Sequence, residues 1–278
     1  MGIELVRRPE RSRLLSLTSP LIALVLAIVV GGIIFALIGL NPLDGLYTYF
    51  VQPLTKLWSI GDLIVKMTPL LLVAVGLAIC YLSNNWNIGA EGQIAIGAIC
   101  GSAIAVYVPT AGGPLVMFAM VLLGVLGGMA WAAIPALLKV RFGANEILTS
   151  LMLGYIAQYL LDWVARSPWR DPHGHNFPNS RIFSADQVLP TIFGLRLNFY
   201  LAIVVAIAAW FMLRKMLTGF QIRVLGQAPR AGAFAGFSQS RMTIIAFLIS
   251  GGLAGLAGIA EVMGPLSQLK ITVSHGYG

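Results

Sequence analysis

Hydrophobic and polar positions along this chain alternate on a long scale. Apolar runs of about 20 residues, the length a helix needs to cross bilayer hydrocarbon, are separated by short polar breaks. Residues 21–40 ("LIALVLAIVVGGIIFALIGL") and 115–138 are the plainest. The pattern predicts seven spans, at roughly 20–40, 63–82, 93–108, 115–138, 147–165, 197–213 and 242–263. The fold class is therefore all-α, a polytopic transmembrane helical bundle, with 1–278 as a single domain. Between the second and third runs, "SNNWNIGAEGQIAIG" (83–97) predicts a broken or re-entrant segment near 83–93.

Composition agrees with a membrane protein. The 278 residues are 58% hydrophobic and 10% charged, whereas soluble domains carry about a quarter charged residues. The formal net charge of +8 does not require nucleic acid, because cytoplasmic loops between spans collect Lys and Arg. Cys80 and Cys100 lie in apolar runs and read as buried thiols. Arg7, Arg8, Arg11 and Arg13 precede a first run too long for a signal peptide. The reading is a retained first span with a cytoplasmic N-terminus. Counting crossings from there puts Lys139 and Arg141, then Arg214, Lys215, Arg223 and Arg230, on the cytoplasmic side.

The stretch 166–196 falls outside, although Arg166, Arg170, Arg181 and Arg196 run against the charge rule. Rich in Pro, Asp and Asn, it reads as an irregular surface loop. His173 and His175 form an H-x-H, but no Cys or further His lies near, so the expectation is solvated loop and no metal site. Asp162 with Arg166 and Arg170 would form interfacial ion pairs of little net energy. After the seventh span the chain closes on "GPLSQLKITVSHGYG", and the expectation is a fragment truncated at its C-terminus.

Motifs for chemistry are scarce. There is no phosphate loop, no H-E-x-x-H and no serine elbow, which argues against an enzyme. In "SGGLAGLAGIA" (250–260), Gly251, Gly255 and Gly258 place small residues on one helix face, as close packing in lipid requires. In "TGFQIRVLGQAPRAGAFAGF" (218–237), Pro229 suits the first position of a short helix. Ala231, Gly232, Ala233 and Ala235 give it a smooth surface, Gly236 ends it, and Arg223, Arg230 and Arg241 surround it. From these residues alone, an inert loop helix and a plug for a partner's groove stand equal. In 141–160, Asn145 would cap a helix starting at Glu146, and Thr149 and Gln158 are polar groups within a span.

The break at 83–93 lacks Lys and Arg, which makes it a poor cytoplasmic loop. Irregular backbone at membrane depth survives only when buried in protein or facing an aqueous cavity, and transporters build substrate routes from such breaks. A charge at mid-bilayer costs roughly 2.5–3.5 kcal/mol on insertion scales, so Glu91 implies a use. The plainer reading is an interfacial turn anchored by Trp86. The missing basic residues favour a cavity lining made by Asn85, Asn87, Glu91 and Gln93.

"NNWNIGAEGQIAIGA", "FGANEILTSLMLGYIA" and "GFQIRVLGQAPRAGAFAGFSQSRMTIIAFLISGGLAGLAG", in that order, resemble the permease subunits of bacterial ABC importers for simple sugars and nucleosides. The likeness covers most of 60–278. It implies an inner-membrane protein working with a second homologous permease subunit, a cytoplasmic ABC ATPase and an extracytoplasmic substrate-binding protein. ATP would be used by the ATPase and no cofactor held by this chain. The resemblance also implies that Gly226 to Phe237, including Gly226, Pro229, Arg230, Ala231, Ala235 and Gly236, contacts the ATPase. Asn87, Gly89, Glu91, Gly92 and Gln93 match a stretch near the translocation route, in the form similar to the nucleoside branch. Gly154 departs from the family's frequent Asn. Two other readings remain: an ion-gradient transporter or channel with Glu91 as relay, and a membrane scaffold docking a partner through the 229–235 helix.

Overall fold

The computed structural model describes residues 13–174 and 177–278. Arg7, Arg8, Arg11 and His175, invoked above, lie outside them. Two compact units form, Met1–Asp62 and Leu63–Gly278.

The first unit opens with α1 (Arg13–Leu37), then α2 (Pro42–Leu46), a π-helical turn Tyr47–Val51, and α3 (Gln52–Thr55). Asn41 caps α2, its side chain accepting from the Leu43 amide at 3.1 Å. Phe35 of α1 packs on Gly45 so closely that a Cβ there would lie 2.9 Å from the ring. Most apolar side chains of α1 are exposed, as lipid contact allows. Next, α4 (Leu57–Leu82) starts in this unit and continues into the second.

The second unit contains α5 (Ala90–Tyr107), α6 (Pro114–Phe142), α7 (Glu146–Arg166), a two-residue hairpin of β1 (Thr191–Ile192) and β2 (Leu195–Arg196), then α8 (Leu197–Lys215), α9 (Leu217–Gln227), α10 (Pro229–Phe234) and α11 (Gln239–Glu261). Beyond α11 the chain runs through Val262–Leu266 and kinks at Gly264 (φ −102°, ψ −109°). Among the described residues, seven helices are long and apolar enough to span a membrane. The bundle is all-α and polytopic.

Several boundaries differ from the sequence reading: α1 covers Arg13–Leu37 instead of 20–40, and α6 runs on to Phe142. The second span begins at Leu57 instead of 63. The break occupies only 83–89, because α5 starts at Ala90 with Gly89 at its N-cap. Glu91 therefore lies in a first helical turn, where its charge meets the positive end of the helix dipole.

Small residues bring α5, α6 and α11 together. A Cβ on Gly97 would fall on Gly255 Cα, one on Gly128 on the Gly251 carbonyl, one on Gly258 on the Ile94 carbonyl, and one on Gly255 on the Gly124 carbonyl. Gly251 meets Ala132 and Gly128 in the same way. Backbones this close gain dispersion contacts that bulkier residues forbid, the main attraction between helices in lipid. The helices α6 and α7 meet through a three-residue turn (143–145). Gly143 closes α6 at φ 67°, and the Asn145 side chain accepts from the Ile147 and Leu148 amides at 2.9 and 3.3 Å.

The stretch 167–196 departs from the expected solvated loop. Trp169, Ser180, Phe183, Gln187 and Leu189 are buried. The Trp169 ring meets Tyr107 edge-on and donates to its hydroxyl at 3.1 Å. Ser180, Phe183 and Leu189 amides donate to the carbonyls of Leu269, Ser267 and Met263 at 2.9, 2.8 and 2.8 Å. Turn-forming residues predict irregular backbone correctly, but they hide that the interspersed apolar side chains pack inward. Arg166 and Asp162 form an exposed pair at 2.7 Å, and His173 is exposed.

Candidate functional site

The break leaves α4 at Leu82, turns at 83–84 with Asn84 at φ 56°, and runs without regular structure to Gly89, from the Lys139 end of the bundle toward Ser250. At its start, Asn85 is buried and donates to Ser83 Oγ at 2.7 Å. Its Oδ1 accepts from Lys139 Nζ at 2.8 Å and Thr243 Oγ1 at 3.3 Å. Lys139 also pairs with Glu146 at 2.5 Å. The positive charge that the break itself lacks is thus supplied by the last turn of α6.

Further in, Asn87 and Gln93 form a reciprocal amide pair: Asn87 Nδ2 donates to Gln93 Oε1 and Gln93 Nε2 donates to Asn87 Oδ1, each at 3.0 Å. Asn87 Nδ2 also donates to Ser250 Oγ at 3.0 Å, and Asn87 Oδ1 accepts from the Gly89 amide at 3.1 Å. Ser250 lies near the middle of the span Gln239–Leu266. Ser150 Oγ of α7 accepts from the Ile88 amide at 3.1 Å. These groups satisfy the Ile88 and Gly89 amides, which no helix pairs.

Asn85, Asn87 and Gln93 are each at most 3% exposed. They hold the break together through one another and their neighbours. Glu91 differs: it is partly exposed and lines a cleft of about 190 Å³ with Ile88, Leu151, Gly154, Tyr155 and Gln158. Its Oε2 accepts from the Gly278 amide at 2.9 Å. Gly154 leaves one wall of the cleft open, with nothing within 4 Å of where its Cβ would stand. A larger cleft of about 450 Å³ between α6, α8 and α11 has walls such as Met117, Phe118, Val121 and Leu201. Apart from Asn198 and Tyr200 it is apolar, and it suits a polar ligand poorly. Tyr277 packs against the core near both Glu91 and Glu261, and its phenol is pushed up by burial, then by those two carboxylates. Glu261 is buried, and its Oε2 has no partner among the described residues. Periodicity gives no sign of it, because it ends an unbroken apolar helix.

At the basic end, α10 is a self-contained six-residue helix with Pro229 in its first turn. Gly236 at φ 78° closes it: the Gly236 amide donates to the Ala233 carbonyl and the Phe237 amide to the Gly232 carbonyl, both at 3.0 Å. Gly232 is buried on Leu225, while Pro229, Arg230, Ala231 and Ala235 are exposed. Phe234 projects fully, at 95% exposure. Of the segment matched to a partner contact, Gly226 faces inward: it belongs to α9 and leaves no room for a Cβ beside the Leu82 carbonyl.

Comparison with known proteins bears on the chain as a whole. The family model for the permease component of branched-chain amino acid transport systems matches residues 59–274. The chain belongs to this permease family. The glucose ABC transporter permease of Haloferax volcanii is 31% identical over 100% of this chain and 77% of its own. The guanosine ABC transporter permease of Bacillus subtilis is 30% identical, over 93% and 75%. A nucleoside ABC transporter permease of Lactococcus lactis is 28% identical, over 88% and 70%. No solved structure matches. This permease is a multi-pass membrane subunit of an ABC importer, a transporter component and not an enzyme.

Proposed function

We propose that this permease carries nucleosides or simple sugars, with the Glu91 cleft on the substrate route and α10 as the docking point for a cytoplasmic ATPase. The observation that carries the docking reading is α10 itself, begun by Pro229, closed at Gly236 and presenting Phe234 to solvent between exposed small residues. A soluble partner with an apolar pocket would bury that ring as an anchor. ATP is then hydrolysed on the partner.

Orientation follows from charge. Lys139 and Arg141 close α6, and Arg214 and Lys215 close α8, an even number of crossings later. Both ends suit the cytoplasmic side, and this supports the reading of a cytoplasmic N-terminus in a bacterial inner membrane. A second permease subunit and an extracytoplasmic binding protein complete the importer. The substrate class rests on the relatives, which are named for glucose, guanosine and nucleosides, and on the cleft chemistry. Glu91 accepts from hydroxyls, and Gln158 and Tyr155 both donate and accept. These are the groups a ribose or hexose ring requires.

Replacing Phe234 by alanine, or Ala235 by arginine, is expected to cut co-purification of the ATPase and ATP-dependent uptake by about tenfold or more, as loss of an interface anchor does, while the permease still accumulates in the membrane. Retention of the ATPase and of uptake in both variants would show that docking lies elsewhere.

A further inference from the structure

We infer that Lys139 is the positioning residue that passes movement of α10 to the substrate cleft. The inference rests on the reading that α10 docks the ATPase, and it concerns what happens after docking.

The path begins in α9, which leads directly into α10. Gly226 stands three residues before Pro229, and a side chain there would collide with the Leu82 carbonyl and come within 3.2 Å of Ser83 Cα. Backbone meets backbone, with no flexible side chain to absorb a shift. Packed contacts of this kind transmit displacement rather than damping it. The end of α4 therefore moves with α9.

Leu82 and Ser83 are where α4 stops and the break begins. Two residues on, the Asn85 side-chain oxygen Oδ1 accepts from both Lys139 and Thr243. Lys139 simultaneously holds Glu146. Its ammonium thus ties the break to the α6–α7 turn, and Thr243 ties the break to α11. Asn85 is in turn bonded back to the Ser83 carbonyl and hydroxyl, at 3.1 and 2.7 Å. Another two residues on, Asn87 grips Ser250 and Gln93, the latter two residues beyond Glu91 in α5. A shift of α9 must stretch the Lys139–Asn85 bond, carry the α6–α7 turn along with it, or both. Either outcome changes the cleft between α5 and α7 that Glu91 and Gly154 line. Without Lys139, α9 still pushes the end of α4, but the start of the break loses its tie to the α6–α7 turn, leaving the Ile88–Ser150 bond as its remaining hydrogen bond to α7 among the described residues.

The test uses the assembled importer in proteoliposomes, reading substrate taken up per ATP hydrolysed. Lys139→Gln is expected to keep the ATPase bound and its hydrolysis near the unaltered rate, while uptake per ATP falls about tenfold. Lys139→Arg, which retains the charge and the donors, is expected to restore most of it. A Lys139→Gln importer with unaltered uptake per ATP overturns the assignment, and so does loss of the ATPase from it. The docking reading fails separately, when Phe234→Ala leaves the ATPase in place. A second measurement leaves Lys139 intact: Ser83→Cys in a chain with Cys80 and Cys100 replaced by alanine. Its labelling by a thiol reagent is expected to quicken about fivefold during ATP turnover, as a coupled element does. A rate indifferent to ATP overturns the proposal even where Lys139→Gln does not accumulate.

Discussion

Substituting valine for Gly255 is expected to leave no folded bundle. Overpacking an ordinary core costs about 1–3 kcal/mol, because neighbouring side chains can shift. At Gly255 the obstacle is main chain: the Gly124 carbonyl, with Gly128 Cα at 3.0 Å. Gly97 of α5 closes on Gly255 from its own side. Making room means separating α11 from α6, and much of the second unit's core lies along that seam. The check is the monodisperse yield and melting temperature in detergent, which should collapse for Gly255→Val. Gly154→Ala, also a glycine within a span, should stay within about 0.5 kcal/mol of the unaltered protein, since nothing stands within 4 Å. Equal behaviour of the two variants would mean that glycine packing does not organise this bundle.

The second large effect is expected at Asn87. Leucine there removes four hydrogen bonds at once and strands the Gln93 amide and the Gly89 N–H. Each buried polar group left unpaired costs about 1–3 kcal/mol, so the break should lose its fixed course across the membrane. Limited proteolysis and thermal melting of Asn87→Leu are expected to show a loosened chain around 83–93, with uptake lost. Ser250→Ala removes one acceptor of one bond and should cost far less, about 1 kcal/mol. Were Asn87→Leu as stable as Ser250→Ala, the amide pair would not be what holds the break.

Much of this fold is legible in the order of residues, because a membrane span needs only length and apolarity. That a break follows α4 is legible for the same reason, as an interruption that lipid would not tolerate unaided, although its expected extent of 83–93 overruns the observed 83–89. What holds the break is less so. Asn87 and Gln93 satisfy one another only when α5 starts at Ala90, and Ser250 joins them from 163 positions away. Lys139 reads as an ordinary topology signal until the fold brings it to Asn85. The packed stretch 167–196 misleads in the opposite direction, since Pro and Asn mark its turns while Trp169, Phe183 and Leu189 bury themselves in the core. The α10 helix is legible from Pro229 and Gly236, but the exposure of Phe234 depends on Gly232, not Phe234, being the residue seated on Leu225.

The central claim is that movement of α10 by an ATPase drives substrate past Glu91. Uptake of labelled guanosine and glucose into proteoliposomes tests it most directly. One set holds the complete importer with its binding protein, and one holds this permease alone under a pH gradient. The account predicts uptake of one of the two substrates by the complete importer only, requiring ATP hydrolysis and lost with Phe234→Ala. Uptake by the permease alone, driven by the pH gradient and indifferent to ATP, would contradict it and make Glu91 an ion relay.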